Sequence, residues 1–169
     1  MEFTVRSEAP GDVPAIAAVT IAAFRNAAHS SHTEQYIVRA LRSAGQLCVS
    51  LVAELPGEII GHVAVSPVSL SDGAVGWFGL GPISVIPRLQ NRGVGTRLMR
   101  SALQVLRERG AAGCVLLGEP KFYQRFGFRA EPDIRLADVP PDHFLAMSFG
   151  PTLPKGTVSY HAGFYVQGE

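Results

Sequence analysis

Apolar positions along this chain recur at two different spacings, and the places where one gives way to the other divide it into elements. Phe3-Thr4-Val5-Arg6 alternates apolar and polar residues, which predicts a first strand with one buried face. Ala9-Pro10-Gly11-Asp12 then supplies a turn and a helix N-cap, with Pro14 in the first helical turn, where its missing N–H costs little. Ile16, Val19, Ala23 and Ala27 mark the apolar side of that helix. A second helix begins near Ser31-His32-Thr33-Glu34, turns Ile37, Val38 and Leu41 inward and ends at Gly45. Leu47–Glu54 and Ile59–Ser66 are rich in β-formers, and the Leu55-Pro56-Gly57-Glu58 link between them predicts an antiparallel hairpin turning at Pro56-Gly57. Ser71-Asp72-Gly73 marks a further turn, after which Val75–Leu80, with Trp77 and Phe78, leads into a central strand.

The most informative stretch is Leu80–Gly110. Ile83–Ile86 is a short β-branched run that Pro87 stops, because proline cannot donate to a continuing ladder. Beyond Gly95 the spacing is helical: Leu98, Met99, Ala102, Val105 and Leu106 share one side, and Gly110 ends the helix. A strand therefore feeds a glycine-bearing loop that opens a helix. The first N–H groups of a helix lack internal partners and the dipole adds partial positive charge there, so an anion fits. Gly93 and Gly95 let a bulky phosphate approach the amides, and Gln90, Arg92 and Arg97 can add donors. The predicted ligand is a phosphate or pyrophosphate. Two other phosphate loops are excluded: G-x-x-x-x-G-K-[ST] is absent, and Gly93-Val94-Gly95-Thr96-Arg97-Leu98 lacks the third glycine of a dinucleotide fingerprint. Gly79-Leu80-Gly81-Pro82-Ile83-Ser84 lacks it too, and precedes the strand.

Further along, Cys114–Leu117 is continuously apolar, as a strand buried on both faces would be, and the helix before it makes a crossover that should leave it parallel to Ile83–Ile86. Glu119-Pro120 starts a short helix, Lys121–Phe126, that Gly127 stops. Phe144–Phe149 and Val158–Val166 supply the last strands. The fold class is α/β with a mixed sheet, antiparallel at the start, parallel across the phosphate loop, and covered by helices on both faces. A length of 169 residues suits a single domain spanning 1–169. A 47% hydrophobic fraction with net charge +1 excludes disorder and gives no reason to expect nucleic acid as a partner. Cys48 and Cys114, each in an apolar run, read as buried reduced thiols of a cytoplasmic protein, without metal spacing. The N-terminus has no signal-peptide character, and Ala74–Ile86 is too short and too interrupted to cross a bilayer, so no membrane partner is expected.

Two motifs carry a resemblance. Val85-Ile86-Pro87 followed by Gln90-Asn91-Arg92-Gly93-Val94-Gly95 matches a Val-x-Pro strand end and Gln/Arg-x-x-Gly-x-Gly/Ala loop, and Phe122-Tyr123-Gln124-Arg125-Phe126-Gly127-Phe128 matches aromatic-Tyr-x-x-x-Gly-Phe. From Phe3 to about Phe128 the chain resembles the GNAT superfamily of N-acetyltransferases. More narrowly, His32-Thr33-Glu34, Leu116-Leu117-Gly118-Glu119 and Tyr160-His161-Ala162-Gly163-Phe164 resemble a branch of small bacterial N-acetyltransferases. The resemblance implies a GNAT-type fold, acetyl-CoA as co-substrate without a metal, and direct acetyl transfer to a primary amine of a small molecule or protein. It further implies that main-chain groups of Ile83, Ser84 and Val85 hold the pantetheine arm. Gln90, Asn91, Arg92, Gly93, Val94, Gly95 and Thr96 would hold the pyrophosphate, and Tyr123 would stand by the sulfur. Part of the Arg88, Arg92, Arg97 and Arg100 charge would meet the 3′-phosphate.

The chemistry then needs an oxyanion donor, an acid and a base. A main-chain N–H near Val85 is the candidate donor, worth ~3 kcal/mol by analogy with other oxyanion sites. Tyr123, a phenol with reference pKa about 10, can protonate a departing thiolate whose conjugate acid lies near 8.5; packing beside Phe122 and Phe126 is its alternative role. Glu119 and Glu34 are the candidate bases, with Glu119 ahead and a water chain as the other route. Glu34 stands three residues after Ser31 in a capping-box pattern, and Glu119 could equally cap the Tyr123 helix. His29, His32 and Glu34 do not share a metal-ligand spacing, and Cys114 has no neighbouring base for an acyl-enzyme. The apolar residues Phe24, Tyr36, Trp77, Phe78 and Phe164 point to an apolar or aromatic acceptor, or to core. A non-catalytic acyl-CoA sensor and an O-acyltransferase are the competing functions, and a homodimer is compatible with the sequence.

Overall fold

The computed structural model describes residues 1–28 and 30–168. Alternation in the first half of the chain becomes an antiparallel meander of β1 (Thr4–Ser7), β2 (Val49–Leu55), β3 (Glu58–Leu70) and β4 (Trp77–Val85), with α1 (Val13–Phe24) and α2 (Glu34–Ser43) between β1 and β2. After α3 (Val94–Glu108), β5 (Gly113–Leu117) joins β4 in parallel. The short α4 (Pro120–Tyr123) follows, then β6 (Ile134–Arg135), β7 (Phe144–Ser148) and β8 (Gly156–Tyr160). Strand order is β1-β2-β3-β4-β5-β7, with β8 on the far half of β3 and β6 on β8.

Because neighbouring side chains of a strand face opposite ways, the sheet carries core on both of its faces. Leu51 and Ala53 of β2 and Val63 and Val65 of β3 pack with Leu98, Met99, Ala102 and Leu106 of α3. On the other face, Val52 and Ala64 pack with Ile16 of α1 and Val38 of α2. Helices thus cover both faces, as the sequence predicts. Among the described residues no helix is long and apolar enough to cross a membrane.

Several local expectations are corrected. The first helix ends at Phe24, so Ala27 lies beyond it. Asp12 makes no side-chain cap; its carboxylate accepts from the Ala9 N–H at 2.7 Å and pairs with Arg6, whose guanidinium also binds Glu54. Trp77–Val85 forms one strand, not an approach followed by a separate strand. Val63 pairs with Ile83 and Val65 with Leu80, so β4 carries an extra residue opposite β3; this bulge at Gly81-Pro82 accommodates the proline that reads as a break. β3 runs on to Leu70, exchanging β4 for β8 after Pro67. β8 stops at Tyr160: His161 Nδ1 accepts the Gly163 N–H at 3.0 Å and opens a single 3₁₀ turn over Ala162–Tyr165, which stacks Phe164 on Tyr160 at 4.3 Å. Cys114 is buried, whereas Cys48 is only half-buried.

One polar chain crosses the α1/α2 side. His62 of β3 is fully buried, with Nε2 2.8 Å from Ser50 Oγ; the Ser50 hydroxyl also bonds Glu8, which Arg42 grips through two bonds of 3.0 and 2.9 Å. Burial holds the imidazole neutral, pushing its pKa down to about 4. The unfolded chain therefore takes up a proton at His62 below about 6.5 that the folded protein refuses until about 4. Stability falls with falling pH wherever the unfolded state binds more protons, so this site should remove on the order of 3 kcal/mol between those pH values and nothing above pH 7. Thermal melts from pH 4 to 8 should show that slope, and His62→Gln should flatten it.

Candidate active site

The site begins where two parallel strands stop pairing. β4 and β5 are joined only through Trp77–Gly113, Phe78–Cys114 and Gly79–Val115. Beyond that point β4 continues along β3 to Val85, and β5 continues along β7 to Leu117. A gap opens between them, and residues 80–85 have no strand on the gap side. The Ile86 N–H donates to Ile60 O at 3.0 Å, toward β3. Main-chain groups alternate sides along a strand, so Ser84 also addresses β3 while Ile83 and Val85 address the gap. Gln90 Nε2 donates to Val85 O at 3.0 Å, tying the loop to the strand end and leaving the Val85 N–H toward the gap.

At the mouth of this gap lies the start of α3. Asn91 (φ 62°) and Gly93 (φ 87°) both adopt the left-handed region, reversing the chain within three residues. The first helical bond is Arg97 N–H to Gly93 O at 3.1 Å, so the N–H groups of Val94, Gly95 and Thr96 precede the ladder. A Cβ on Gly95 would lie 3.8 Å from Val85 Cγ2 and 4.0 Å from Phe122 Cζ; a larger side chain there would enter the slot between them. Of the four arginines, Arg88 pairs with Glu58 at 2.6 Å, Arg97 donates to Phe3 O at 2.9 Å, and Arg100 lies over the Phe126 ring. Arg92 is exposed and, among the described residues, unpaired.

α4 carries Tyr123 to the β5 side of the gap. A following turn, Gln124–Phe126, closes at Gly127 (φ 105°). The Tyr123 ring meets Phe122 edge-on at 4.8 Å and Phe128 at 6.3 Å. It also packs against Gly118, where a Cβ would collide with Tyr123 Cε2. Burial raises the phenol's pKa above its ordinary value, so it stays protonated through the neutral range. The packing and the polar reading of Tyr123 are therefore compatible: its ring is core, and its edge lines a cavity of about 530 Å³.

That cavity brings Tyr123 together with Ile83 and Glu34, and leaves Glu119 outside. Glu34 is the first residue of α2, and its carboxylate accepts the Ser30 hydroxyl at 2.8 Å to each oxygen. The capping box expected from Ser31 is not formed: Thr33 is the N-cap, and Ser31 Oγ is 2.5 Å from Thr33 Oγ1. Glu119 is exposed, with its carboxylate 3.7 Å from His143 Nε2; its carbonyl, not its side chain, receives the Phe122 and Tyr123 N–H groups. Of the aromatic candidates, Phe24 and Phe164 line the cavity. Trp77 instead packs on Gly113 at the paired end of the strands, and Phe78 joins the α3 core; neither these nor Tyr36 line it. Sequence reasoning missed Leu136 and Val139, which close the cavity from a stretch without periodic spacing. Among the described residues no group of three His, Cys, Asp or Glu side chains could hold a metal; His29 lies outside them.

Parallel strands that part, a helix whose free amides face the opening and a tyrosine across it define the acyl-CoA N-acyltransferase architecture. The chain belongs to the acetyltransferase (GNAT) family, whose model matches residues 15–128. It is 37% identical over 134 residues to the uncharacterized N-acetyltransferase YhbS of Escherichia coli (strain K12), covering 78% of this chain and 77% of that one. A GNAT family acetyltransferase from Brucella melitensis, solved in complex with acetyl-CoA, superposes with a TM-score of 0.87 at 46% identity over 96% of this chain and 98% of its own. The crystal structure of Escherichia coli YhbS in complex with CoA gives a TM-score of 0.87 at 32% identity, covering 97% and 92%.

The contact between Gly118 and Tyr123 yields a direct test. Gly118→Ala should drive the tyrosine ring out of its place, at a cost of about 1–3 kcal/mol in stability. A crystal structure of the variant, or a shift of the Tyr123 ring resonances, would show it; an unmoved ring would contradict the packing.

Proposed function

We propose that this protein transfers the acetyl group of acetyl-CoA directly to a primary amine. The observation that carries this reading is the opening between β4 and β5, which presents main-chain donors and acceptors along one wall and unpaired helix amides at its mouth. These residues fit the donor's chemistry. The pantetheine arm contains amides that can pair with Ile83 and Val85 as an added strand would, and its pyrophosphate suits the N–H groups of Val94, Gly95 and Thr96. Gly95 keeps the passage between Val85 and Phe122 open. The complexes of the Brucella and Escherichia coli relatives with acetyl-CoA and CoA support the same assignment.

In this reading the Val85 N–H donates to the thioester oxygen as negative charge builds there. Tyr123 gives its proton to the departing sulfur. Glu34, steadied by the Ser30 hydroxyl, receives the ammonium and leads its proton away. The new N–C bond replaces the C–S bond, whose electron pair leaves with sulfur. Glu34 takes the place of Glu119 as the favoured base because only Glu34 shares a cavity with Tyr123. Arg92 is the arginine left to meet a phosphate.

Titration calorimetry with acetyl-CoA and thiol-release assays with an amine panel test the proposal. Tyr123→Phe should lower kcat by ~10²-fold, the lower end for general acids, with acetyl-CoA affinity unchanged. Glu34→Gln should slow amine turnover, while Glu119→Gln should stay within about twofold of the parent, since a surface group outside the cavity touches no reacting atom. Binding without turnover of any amine would favour a sensor; absence of binding would end both readings.

A further inference from the structure

The acceptor end of the same cavity has an unbalanced chemistry. Glu34 is its single carboxylate, and among the described residues that line it there is no lysine, arginine or histidine. Its other walls are uncharged and mainly apolar: Phe24, Ile37, Leu136, Val139 and the Phe164 ring stacked on Tyr160, with Ser31, Thr33 and Gln167 the uncharged polar side chains among them. Two of the large apolar side chains most open to solvent, Leu117 (40% exposed) and Tyr165 (55% exposed), lie on this cavity. Exposed apolar surface gathered at one concavity marks a place that a ligand covers.

We infer that the acceptor is a small primary monoamine with an apolar or aromatic body and no second charged group. The inference rests on the transferase reading and narrows it. Glu34 seats the single ammonium. A carboxylate or phosphate on the acceptor would be stripped of water with no cation to meet it, and a second ammonium would find no second carboxylate. Amino acids, sugar phosphates and polyamines are disfavoured on that ground. A volume of about 530 Å³ has room for a ring-bearing amine beside the acetyl end of the donor. The balance is R–NH₃⁺ plus acetyl thioester giving the acetylated amine, the CoA thiol and one proton.

Matched acceptors isolate each feature. At saturating acetyl-CoA, kcat/KM from thiol release should be at least tenfold higher for 2-phenylethylamine than for phenylalanine, which adds only a carboxylate. It should likewise be at least tenfold higher for n-hexylamine than for 1,6-diaminohexane, which adds only a second amine. Val139→Arg should reverse the first preference while leaving the calorimetric affinity for acetyl-CoA unchanged. Equal or better use of phenylalanine or diaminohexane would overturn the inference and leave the transferase reading standing; firm acetyl-CoA binding with none of the four amines acetylated would overturn the inference as well, and the wider amine panel then decides between transferase and sensor. Failure of acetyl-CoA to bind would overturn both, and calorimetry separates that result from the others.

Discussion

After Gly79 and Val115 the two central strands cease to hydrogen-bond, and the polar edge this leaves on β4 shapes what surrounds it. An open strand edge needs partners as much as any buried main-chain group does. On one side β3 supplies them all the way to Val85, and the bulge at Gly81-Pro82 adjusts the register so that the pairing survives a proline. On the other side the Gln90 side chain satisfies the Val85 carbonyl, and the remaining groups are available to a ligand. A sheet continuous on one edge and interrupted on the other is rigid enough to present those groups in fixed positions. Preorganised main-chain donors need no rearrangement when charge develops on a bound carbonyl.

The helices hold the two walls of that opening from opposite faces. Leu98, Met99, Ala102 and Leu106 seat α3 on β2 and β3, which aims its first amides at the gap. On the other face, Arg42 in the last turn of α2 is clamped to Glu8, and Glu8 is linked through Ser50 to His62 in the sheet. Burial works to raise the Glu8 pKa, but the bonds from Arg42 and Ser50 prevail and keep the carboxylate below its ordinary value, so the clamp is charged at neutral pH. α2 has ten residues, about 15 Å of helix. Anchoring its C-terminal turn therefore fixes where its first residue, Glu34, stands. This polar chain meets α2 at the end opposite Glu34 and does not touch the site.

Much of this was legible in the sequence because it is local. A β-branched run, a proline, two glycines and a helical repeat name the strand, loop and helix of residues 83–108 without reference to anything distant. The motifs around Gly93 and Tyr123 then identified the family. What the sequence concealed is tertiary. Gly81-Pro82 reads as a break, and only the unequal spacing against Val63 and Val65 makes it a bulge inside one strand. Trp77 suits a pocket as well as a core, and the decision falls to Gly113, whose missing side chain gives the indole its seat. Ser31-x-x-Glu34 fits a capping box by spacing, yet Ser30 is the residue that holds the carboxylate. Leu136 and Val139 belong to a segment whose place is set by β6 pairing with β8, a contact over some twenty residues with no periodic signal.

The two halves of the cavity answer opposite needs, and their meeting point is the Tyr123 edge. The donor side is lined with main-chain polar groups, which suit an arm that is itself polar and extended. The acceptor side is apolar, which helps exclude the water that would otherwise hydrolyse a thioester. Exclusion is incomplete while Leu117 and Tyr165 remain open to solvent. An acceptor with an apolar body would cover both and complete the dry wall as it binds. Low polarity there also weakens the phenol as an acid, since burial raises its pKa, and the same surroundings disfavour a bare thiolate. In the proposed mechanism Tyr123 would therefore give up its proton only as the C–S bond breaks and charge builds on sulfur, which confines the step to the moment when the amine is already in place.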